Sequence, residues 1–216
     1  MSSSKPSTDD ARTRDADRSQ QAILLAAREE FAQHGLAGAR VDRVAERAGL
    51  NKRLIYYYFS SKDELFLAVL ESAYSDIREA EQQLHLNDMP PAQAIRRLTE
   101  FTWQYYLDHP EFLTLLNSEN LEHGRHIAQS SKAHQTNSPL IETLADILER
   151  GRREGSFRGG IDAMQLYVSI AGMAYFYLNN KHTLSAIFGR DLMSPKALQE
   201  RLTHMSDVIL GYVLRS

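Results

Sequence analysis

The 216 residues carry a formal net charge of −3, and 43% of them are hydrophobic, enough to bury a core as one large domain or as a small domain joined to a larger one. The absence of cysteine excludes a disulfide framework, thiolate metal ligands and a cysteine nucleophile. The chain has neither the apolar core of a secretory signal at its N-terminus nor an apolar run of roughly 18 residues that could span a bilayer, so we expect a cytoplasmic protein without membrane contacts.

Long segments rich in Ala, Leu, Glu, Gln and Arg, with apolar residues at helical spacing, predict an all-α chain of about nine helices. Residues 1–17 have almost no apolar side chains and are expected to form a flexible arm. Residues 18–62 are expected to form a three-helix domain, and residues 63–216 a larger helical domain. The charge follows this division, because residues 1–62 carry 11 Lys and Arg against 8 Asp and Glu (+3), whereas residues 63–216 carry 14 against 20 (−6). A basic module joined to an acidic body is typical of a small domain that faces phosphates.

The segment VDRVAERAGLNKRLIYYYF, residues 41–59, has the spacing of a helix-turn-helix. Ala45 supplies the small residue needed where two helices cross, Gly49 tolerates the positive φ of the turn, and Ile55 points back to seal the joint. Asn51 stands where an N-cap would accept the free amides of the second helix. The pattern therefore predicts two short helices held at a fixed angle.

Cations and aromatic side chains follow this cap. Lys52 and Arg53 fall in the first turn, at the positive end of the helix dipole, where an external anion would relieve the repulsion. The N-terminal residues of a recognition helix reach phosphates and base edges in the major groove. Tyr56 and Tyr57 fall one turn later, where a ring can pack on a sugar and a hydroxyl can bond a phosphate. Lys62, at the start of the next helix, offers one more phosphate contact.

The run GARVDRVAERAGLNKRLIYYYFSSKDELFLAVL resembles the DNA-binding domain of the TetR family of bacterial transcriptional regulators, and the resemblance covers residues 20–75 without a gap. It implies a homodimer on a palindromic operator, with a C-terminal domain that binds a small-molecule inducer, and hence a repressor. Many members have Thr or Ser at the start of the second helix, where this chain has Ala39 and Arg40. Carried over by position, the resemblance implies DNA contacts from Arg40, Arg43, Asn51, Lys52, Arg53, Tyr56, Tyr57 and Lys62.

Two C-terminal helices are candidates for a dimer interface. The helix at about 162–180 is apolar on nearly every face, which requires burial on all sides. The last helix repeats apolar residues in steps of four and three, the spacing of a helical seam. Two such helices from each subunit would form a four-helix bundle, and the alternative is that both are ordinary core helices of a monomer. The predicted interface consists of Tyr167, Ile170, Ala174, Tyr177, Leu198, Leu202, Met205, Ile209 and Tyr212.

A pocket for a small, partly polar and aromatic molecule is expected in the C-terminal domain, because aromatic side chains alternate there with amides and imidazoles. The segments HPEFLTLLNSENLEHGRH and FYLNNKHTLSAIFGRDL are similar to a subgroup of repressors of pyrimidine and nicotinate catabolism, which implies a nitrogen heterocycle or an aromatic acid as inducer. The candidate ligand-binding residues are Trp103, Tyr106, Phe112, Leu113, Leu116, Asn117, Asn120, His123, Met164, Tyr167, Tyr175, Asn179, Asn180 and His182.

A metal site and catalysis are weaker interpretations. Glu119, His123 and His126 follow helical steps of four and three, which could place a carboxylate and two imidazoles on one face. Gly124 interrupts that helix and no fourth ligand is evident, so no metal or other cofactor is expected. The sequence has no P-loop, GxSxG or HExxH motif, so we do not expect an enzyme. The alternative to a regulator is a helical small-molecule-binding protein whose helix-turn-helix is only structural.

Overall fold

The structure is a computed structural model that describes residues 8–215, except for the side chains of residues 8–14, 133, 134 and 136–138. Over this part of the chain it is all-α, as predicted, with ten helices rather than about nine and no β-strand. Short 3-10 helices at Leu86–Asp88 and Ile127–Gln129 connect longer elements. The helices are α1 Thr8–Gly38, α2 Val41–Ala48, α3 Lys52–Phe59, α4 Lys62–Gln82, α5 Pro91–Asp108, α6 Pro110–Leu121, α7 Ser131–Arg153, α8 Ala163–Asn179, α9 Lys181–Phe188 and α10 Pro195–Val213.

The first helix is longer than the sequence pattern predicts. It begins at Thr8, so residues 8–17 of the expected arm are helical, and residues 1–7 of that arm lie outside the described residues. Arg18 pairs with Asp15 at 2.8 Å across one helical turn, and the Ser19 hydroxyl donates to the Asp15 carbonyl. Such local contacts support a helix where apolar side chains are scarce. Gly35, with φ 62° and ψ 176°, interrupts the helical geometry of α1 near its end.

The described chain divides into two compact units. The first holds the residues up to Ala73 together with Thr114–Ser130, and the second holds Tyr74–Leu113 and the residues from Ser131 onward. The first unit continues beyond the predicted boundary at residue 62 because the beginning of α4 contributes to its core: the rings of Phe31 and Phe66 meet edge to face, 5.0 Å apart, and both are buried.

Each unit has its own apolar core. In the first, Ile23, Phe31, Val44, Ile55 and Phe66 are almost fully buried, so α1 to α4 enclose a single core. In the second, α5, α7, α8 and α10 supply a cluster to which Ile95, Leu144, Ile170, Ile209 and Val213 belong. Across residues 8–215, no helix combines the length and apolarity needed to cross a membrane.

Candidate functional site

The helix-turn-helix has the geometry that its spacing predicts. Gly49 adopts φ 66° and ψ 28° after α2, and its N–H donates to the carbonyls of Ala45 and Glu46. A left-handed residue here ends the first helix and turns the chain toward the second, which strains any residue that carries a Cβ. Ala45 and Ile55 are both buried at the joint.

The cap of α3 also forms as expected. The Asn51 side chain accepts a hydrogen bond from the Arg53 backbone N–H at 2.9 Å, which satisfies one of the free amides of the first turn. Ile55 and Phe59 are the buried residues of α3. The opposite face, with Lys52, Arg53, Tyr56 and Tyr57, is therefore exposed.

The exposed face of α3 combines cations and phenol rings. The Arg53 side chain is exposed, as are Tyr56 and Tyr57, the latter to 79%. Lys52 pairs with Asp42 of α2 at 2.7 Å, and its ammonium group lies 5.9 Å from the centre of the Tyr56 ring. The hydrogen bond between the two side chains raises the pKa of Lys52 and lowers the pKa of Asp42. Asp42 therefore competes with a phosphate for the exposed ammonium group of Lys52.

Arg43 is directed into the protein rather than outward. Its Nε donates to Glu30 at 2.6 Å, and its Nη2 donates to the Gly38 carbonyl at 2.8 Å. Glu30 is fully buried and also accepts the Arg40 backbone N–H at 2.9 Å. Burial raises the pKa of Glu30, but the hydrogen bonds from Arg40 and Arg43 outweigh that effect and leave the pKa below its usual value. The Arg43 side chain thus anchors α2 to α1.

Glu30 also secures the start of α2, where many members of the family have Thr or Ser. Arg40 is the N-cap residue, in an extended conformation, and its side chain makes no cap hydrogen bond. The buried carboxylate of α1 binds its amide instead. Glu30 is not among the residues predicted from the sequence, although it directly precedes the buried Phe31 of an apolar stripe.

Lys62 has a structural role as well. Its Nζ donates to the carbonyls of Leu36 at 2.8 Å and Ala39 at 3.3 Å, and its side chain is partly buried. Carbonyls at the C-terminal end of a helix lack intrahelical donors, so an ammonium group there satisfies two of them. Lys62 therefore fastens the start of α4 to the end of α1.

The predicted carboxylate and imidazole face does not form. Helix α6 ends at Leu121, and His123 has a positive φ of 58°, so the helical spacing to His126 is lost. Glu119 is buried with both oxygens engaged: one accepts the backbone N–H groups of His126 and Ile127, and the other lies 2.6 Å from the His126 Nδ1. Within the described residues no group of three or more possible ligands could hold a metal ion.

The predicted ligand residues are spread over both units. Leu116, Asn117, Asn120 and His123 belong to the first, and the others to the second. Trp103 is buried in the core, with its ring edge to face against Tyr177 at 5.6 Å. Residues with exposed side chains in the same set are Met164, Asn120, His123, Asn179 and His182.

The second unit contains a buried polar cluster that the apolar periodicity of the sequence does not predict. Arg78 and Glu81, one helical turn apart on α4, are 4% and 5% exposed and form an ion pair of 2.5 Å. The Arg78 Nη2 donates to the Tyr167 hydroxyl at 2.9 Å, and burial raises the pKa of the nearby Tyr106. Both charged residues line a cavity of about 300 Å³. In the sequence, Arg78 and Glu81 stand close to Ile77, which is also buried. Arginine and glutamate are rarely buried unless they are paired, so their burial here indicates a specific role.

Several residues of the predicted dimer interface are buried within the single chain. Ile170, Ala174, Met205 and Ile209 are at most 2% exposed in a single chain, so they form its core and are not available to a partner. The sequence could not identify the outer stripe because α8 is apolar all round. The apolar side chains that remain exposed on α8 and α10 are Met164, Val168, Phe176, Val208 and Tyr212.

An open groove of about 530 Å³ runs between α8 and α10, lined by Val168, Phe176, Val208 and Arg201 among others. The Arg201 Nη2 donates to the Met173 carbonyl at 2.8 Å, whereas its buried Nε has no acceptor among the described residues. An exposed apolar groove of this kind is typical of a protein–protein interface or a ligand-binding groove.

Comparison with known proteins agrees with this architecture. Residues 23–69 match the family described as "Bacterial regulatory proteins, tetR family", and residues 91–209 match "Tetracyclin repressor-like, C-terminal domain". Together the two matches cover the helix-turn-helix and most of the second unit.

Curated relatives and a solved structure extend over nearly the whole chain. The HTH-type transcriptional repressor NicS of Pseudomonas putida is 40% identical over 199 residues, 92% of this chain and 94% of the relative. The HTH-type transcriptional regulator RutR of Escherichia coli O157:H7 is 33% identical, with 92% of each chain covered. The transcriptional regulator SCO4942 of Streptomyces coelicolor, a crystal structure, has a TM-score of 0.69 at 25% identity, covering 92% of this chain and 99% of that chain. The chain therefore belongs to the TetR family and is a DNA-binding transcriptional regulator, not an enzyme.

Proposed function

We propose that the protein is a homodimeric repressor that binds a palindromic operator through α3 and is released from it by a small-molecule effector bound in the second unit. The observation that carries this proposal is the exposed face of α3, where Arg53, Tyr56 and Tyr57 lie opposite the buried Ile55. The relatives named as repressors favour repression over activation. The same face argues against a helix-turn-helix that is only structural, because a packing element has no need of exposed aromatic rings.

The proposed DNA contacts form a smaller set than the sequence predicts. Arg53, Tyr56 and Tyr57 are exposed at the amino end and outer face of α3, as a helix that enters the major groove requires. Lys52 joins them by exchanging its Asp42 partner for a phosphate. Arg40 is exposed at the amino end of α2 and can add a phosphate contact, as can the exposed N-cap residue Asn51 through its side-chain NH₂ group. Arg43 and Lys62 are not among the proposed DNA contacts, because their side chains bind Glu30 and the carbonyl of Leu36 within the domain.

The proposed dimer uses the exposed face of α8 and α10. Across a two-fold axis, each subunit would cover the apolar groove of the other and exclude water from it. The exposed apolar residues of this groove include Val168, Phe176 and Val208. Two-fold symmetry in the protein then requires two operator half-sites related by the same symmetry.

Release by an effector requires only that the ligand bind more tightly to a conformation that fits the operator poorly. A coupling free energy of roughly 1–3 kcal/mol would lower operator affinity by about 5-fold to 150-fold.

A selection experiment tests the DNA-binding part of the proposal. The full-length protein, incubated with a randomised duplex library, is expected to enrich a palindrome. Arg53→Ala should weaken binding to that duplex at least tenfold, because it removes a contact at the amino end of α3, where base edges are read. Arg96→Ala is the matched control, since Arg96 is an exposed arginine on α5. Enrichment of sequences without two-fold symmetry, or equal effects of both variants, would contradict the proposal.

A further inference from the structure

The cavity beside Arg78 lies entirely within the second unit. One wall comes from the end of α4, with Arg78 and Glu81, and another from α7, with Leu140 and Thr143. Leu86, in the segment that follows α4, adds a second apolar side chain. At about 300 Å³ the cavity stands at the small end of the range for ligand sites, which corresponds to a single ring or a short chain.

Arg78 brings a permanent positive charge to this cavity, since a guanidinium does not lose its proton in a protein. Its Nη1 donates to Glu81 and its Nη2 to Tyr167, whereas the buried Nε has no acceptor among the described residues. A buried cation is destabilising unless a counter-ion and hydrogen-bond acceptors surround it. Arg78 therefore requires a full negative charge close to its guanidinium group.

Glu81 supplies that negative charge only in part. Its burial raises the pKa of the carboxyl to about 7, against the attraction and hydrogen bond of Arg78, which lower it. Near neutral pH a large fraction of Glu81 is consequently protonated, and the charge of Arg78 is then uncompensated. The other titratable groups around the pair are Tyr106 on α5 and Tyr167 on α8, with His85 and Asp88 at the cavity.

We propose that this cavity binds a small organic monocarboxylate, held by Arg78, whose binding is coupled to the uptake of one proton by Glu81. A carboxylate matches the planar fork of a guanidinium, and the apolar side chains of Leu86 and Leu140 suit a compact hydrocarbon or aromatic group. The buried positive charge of Arg78 repels a ligand cation. With one buried cation the site balances one negative charge, not two.

The charge balance of binding is simple. Above about pH 7, most of Glu81 in the free protein is ionised and accepts a hydrogen bond from Arg78. The ligand carboxylate replaces Glu81 as the acceptor, and Glu81 takes one proton from solvent to become a neutral acid. That acid can donate to an oxygen of the ligand, so that the site again holds one positive and one negative charge. Binding of this anion rests on no assumption about DNA, whereas its role as effector rests on the proposed function.

Calorimetric titration of the full-length protein tests the inference. The probes are benzoate, pyridine-3-carboxylate and butanoate, each compared with its neutral amide, between pH 6 and 8.5 in two buffers of different ionisation enthalpy. We expect the carboxylates to bind at least about tenfold more tightly than the amides, as charge-assisted hydrogen bonds require. Proton uptake on binding should rise from about one half at pH 7 to nearly one at pH 8.5, where affinity should fall about tenfold per pH unit. Absence of binding by every carboxylate, equal binding of the amides, or proton release would overturn the inference.

Two variants separate the roles of the pair. Arg78→Gln should abolish the preference for carboxylates over amides. Glu81→Gln should keep that preference but lose the proton uptake and the pH dependence, and it keeps the inference testable if Arg78→Gln does not fold. Arg97→Gln, which removes an exposed charge on α5, is the matched control and should behave as the parent protein. Retention of the carboxylate preference in Arg78→Gln, or of proton uptake in Glu81→Gln, would exclude the proposed roles.

The effector role is measured separately. Titration of the carboxylates into the complex of protein and selected duplex should release the DNA from the parent protein and not from Arg78→Gln. If the anion binds with proton uptake but does not release the DNA, the binding site is supported and its role as an effector site is excluded. If the protein binds no duplex at all, the proposed function fails and the calorimetric result is unaffected.

Discussion

Lys52 and Lys62 have similar positions in the sequence, each in the first turn of a helix, but their ammonium groups have different surroundings. Lys52 is exposed and paired with the equally exposed Asp42, whereas Lys62 donates to the backbone carbonyls of Leu36 and Ala39. One is therefore available to a phosphate and the other is committed to the fold. The two lysines form a matched pair for experiment.

Lys52→Ala should weaken DNA binding on all sequences and reduce the salt dependence by about one counterion, because each neutralised phosphate contributes about −0.9 to the slope of log K against log salt. Fluorescence anisotropy on the selected duplex at several salt concentrations measures that slope. Lys62→Met should leave the slope nearly unchanged and lower the free energy of unfolding by about 1–3 kcal/mol, since it strands two carbonyls. Reversed effects of the two variants would show that the structure assigns these lysines wrongly.

Glu81 should make the protein less stable as the pH rises. Its pKa of about 7 in the folded chain exceeds the ordinary value of 4.5, so its contribution to stability is complete below about pH 4.5 and is lost as the pH passes through 7. One pKa unit corresponds to about 1.4 kcal/mol, which makes the loss on the order of 3 kcal/mol between pH 5 and 8. Urea unfolding across this range should give a flatter profile for Glu81→Gln than for the parent protein. Parallel profiles would place the titrating group elsewhere.

At the scale of the element, the turn between α2 and α3 depends on backbone conformation alone. A Cβ added at Gly49 would meet no atom within 4 Å, yet the residue has φ 66°. Gly49→Ala should therefore lower the free energy of unfolding by roughly 1–2 kcal/mol, the strain of a left-handed residue with a side chain. Gly49→Asn should lower it less, because asparagine tolerates this conformation better. Thermal unfolding of both variants checks the order, and an alanine variant as stable as the parent would contradict it.

Local chemistry was enough to predict the elements around the helix-turn-helix. Gly49 and Asn51 act within a few residues of themselves, on amides and carbonyls that the helix ends leave free, and the structure confirms both roles. The periodic apolar residues likewise predicted the all-α fold. The residues that the sequence misassigned depend on distant partners: Arg43 anchors to Glu30 of the preceding helix, and Lys62 anchors to the end of α1. No spacing rule contains those contacts, because they arise only when α1 folds back against its neighbours.

The ligand and dimer residues were harder to predict for a related reason. Helix α8 is apolar on most faces, so its sequence does not distinguish the stripe that meets the chain's own core from the stripe that remains outside. Ile170 and Ala174 belong to the first stripe, and Val168 and Phe176 to the second. Among the predicted ligand residues, the aromatic Trp103 belongs to the core of the second unit. The buried charges of Arg78 and Glu81 follow no apolar periodicity, so the helical pattern does not predict their burial.

At the scale of the whole molecule, the exposed face of α8 and α10 should determine the oligomeric state. Phe176 is 60% exposed in the single chain, so Phe176→Glu leaves the folded subunit nearly undisturbed. In a dimer the same change would bury two carboxylates in an apolar seam, and a buried unpaired charge is strongly unfavourable. Light scattering over a concentration series should show dimers for the parent protein and monomers for the variant. Leu121→Glu is the control, because Leu121 is 81% exposed and lies outside the α8 and α10 face.

Loss of the dimer should also weaken DNA binding, because the proposed dimer contacts a palindromic operator with two recognition helices at once. A monomer that contacts one half-site forgoes the effective concentration that the second subunit provides, which is worth about 10²-fold to 10⁴-fold in affinity. Phe176→Glu should therefore bind the full palindrome about as weakly as it binds an isolated half-site, whereas Leu121→Glu should still distinguish the two duplexes. If Phe176→Glu remains a dimer, or binds the palindrome like the parent protein, the two subunits meet through another surface.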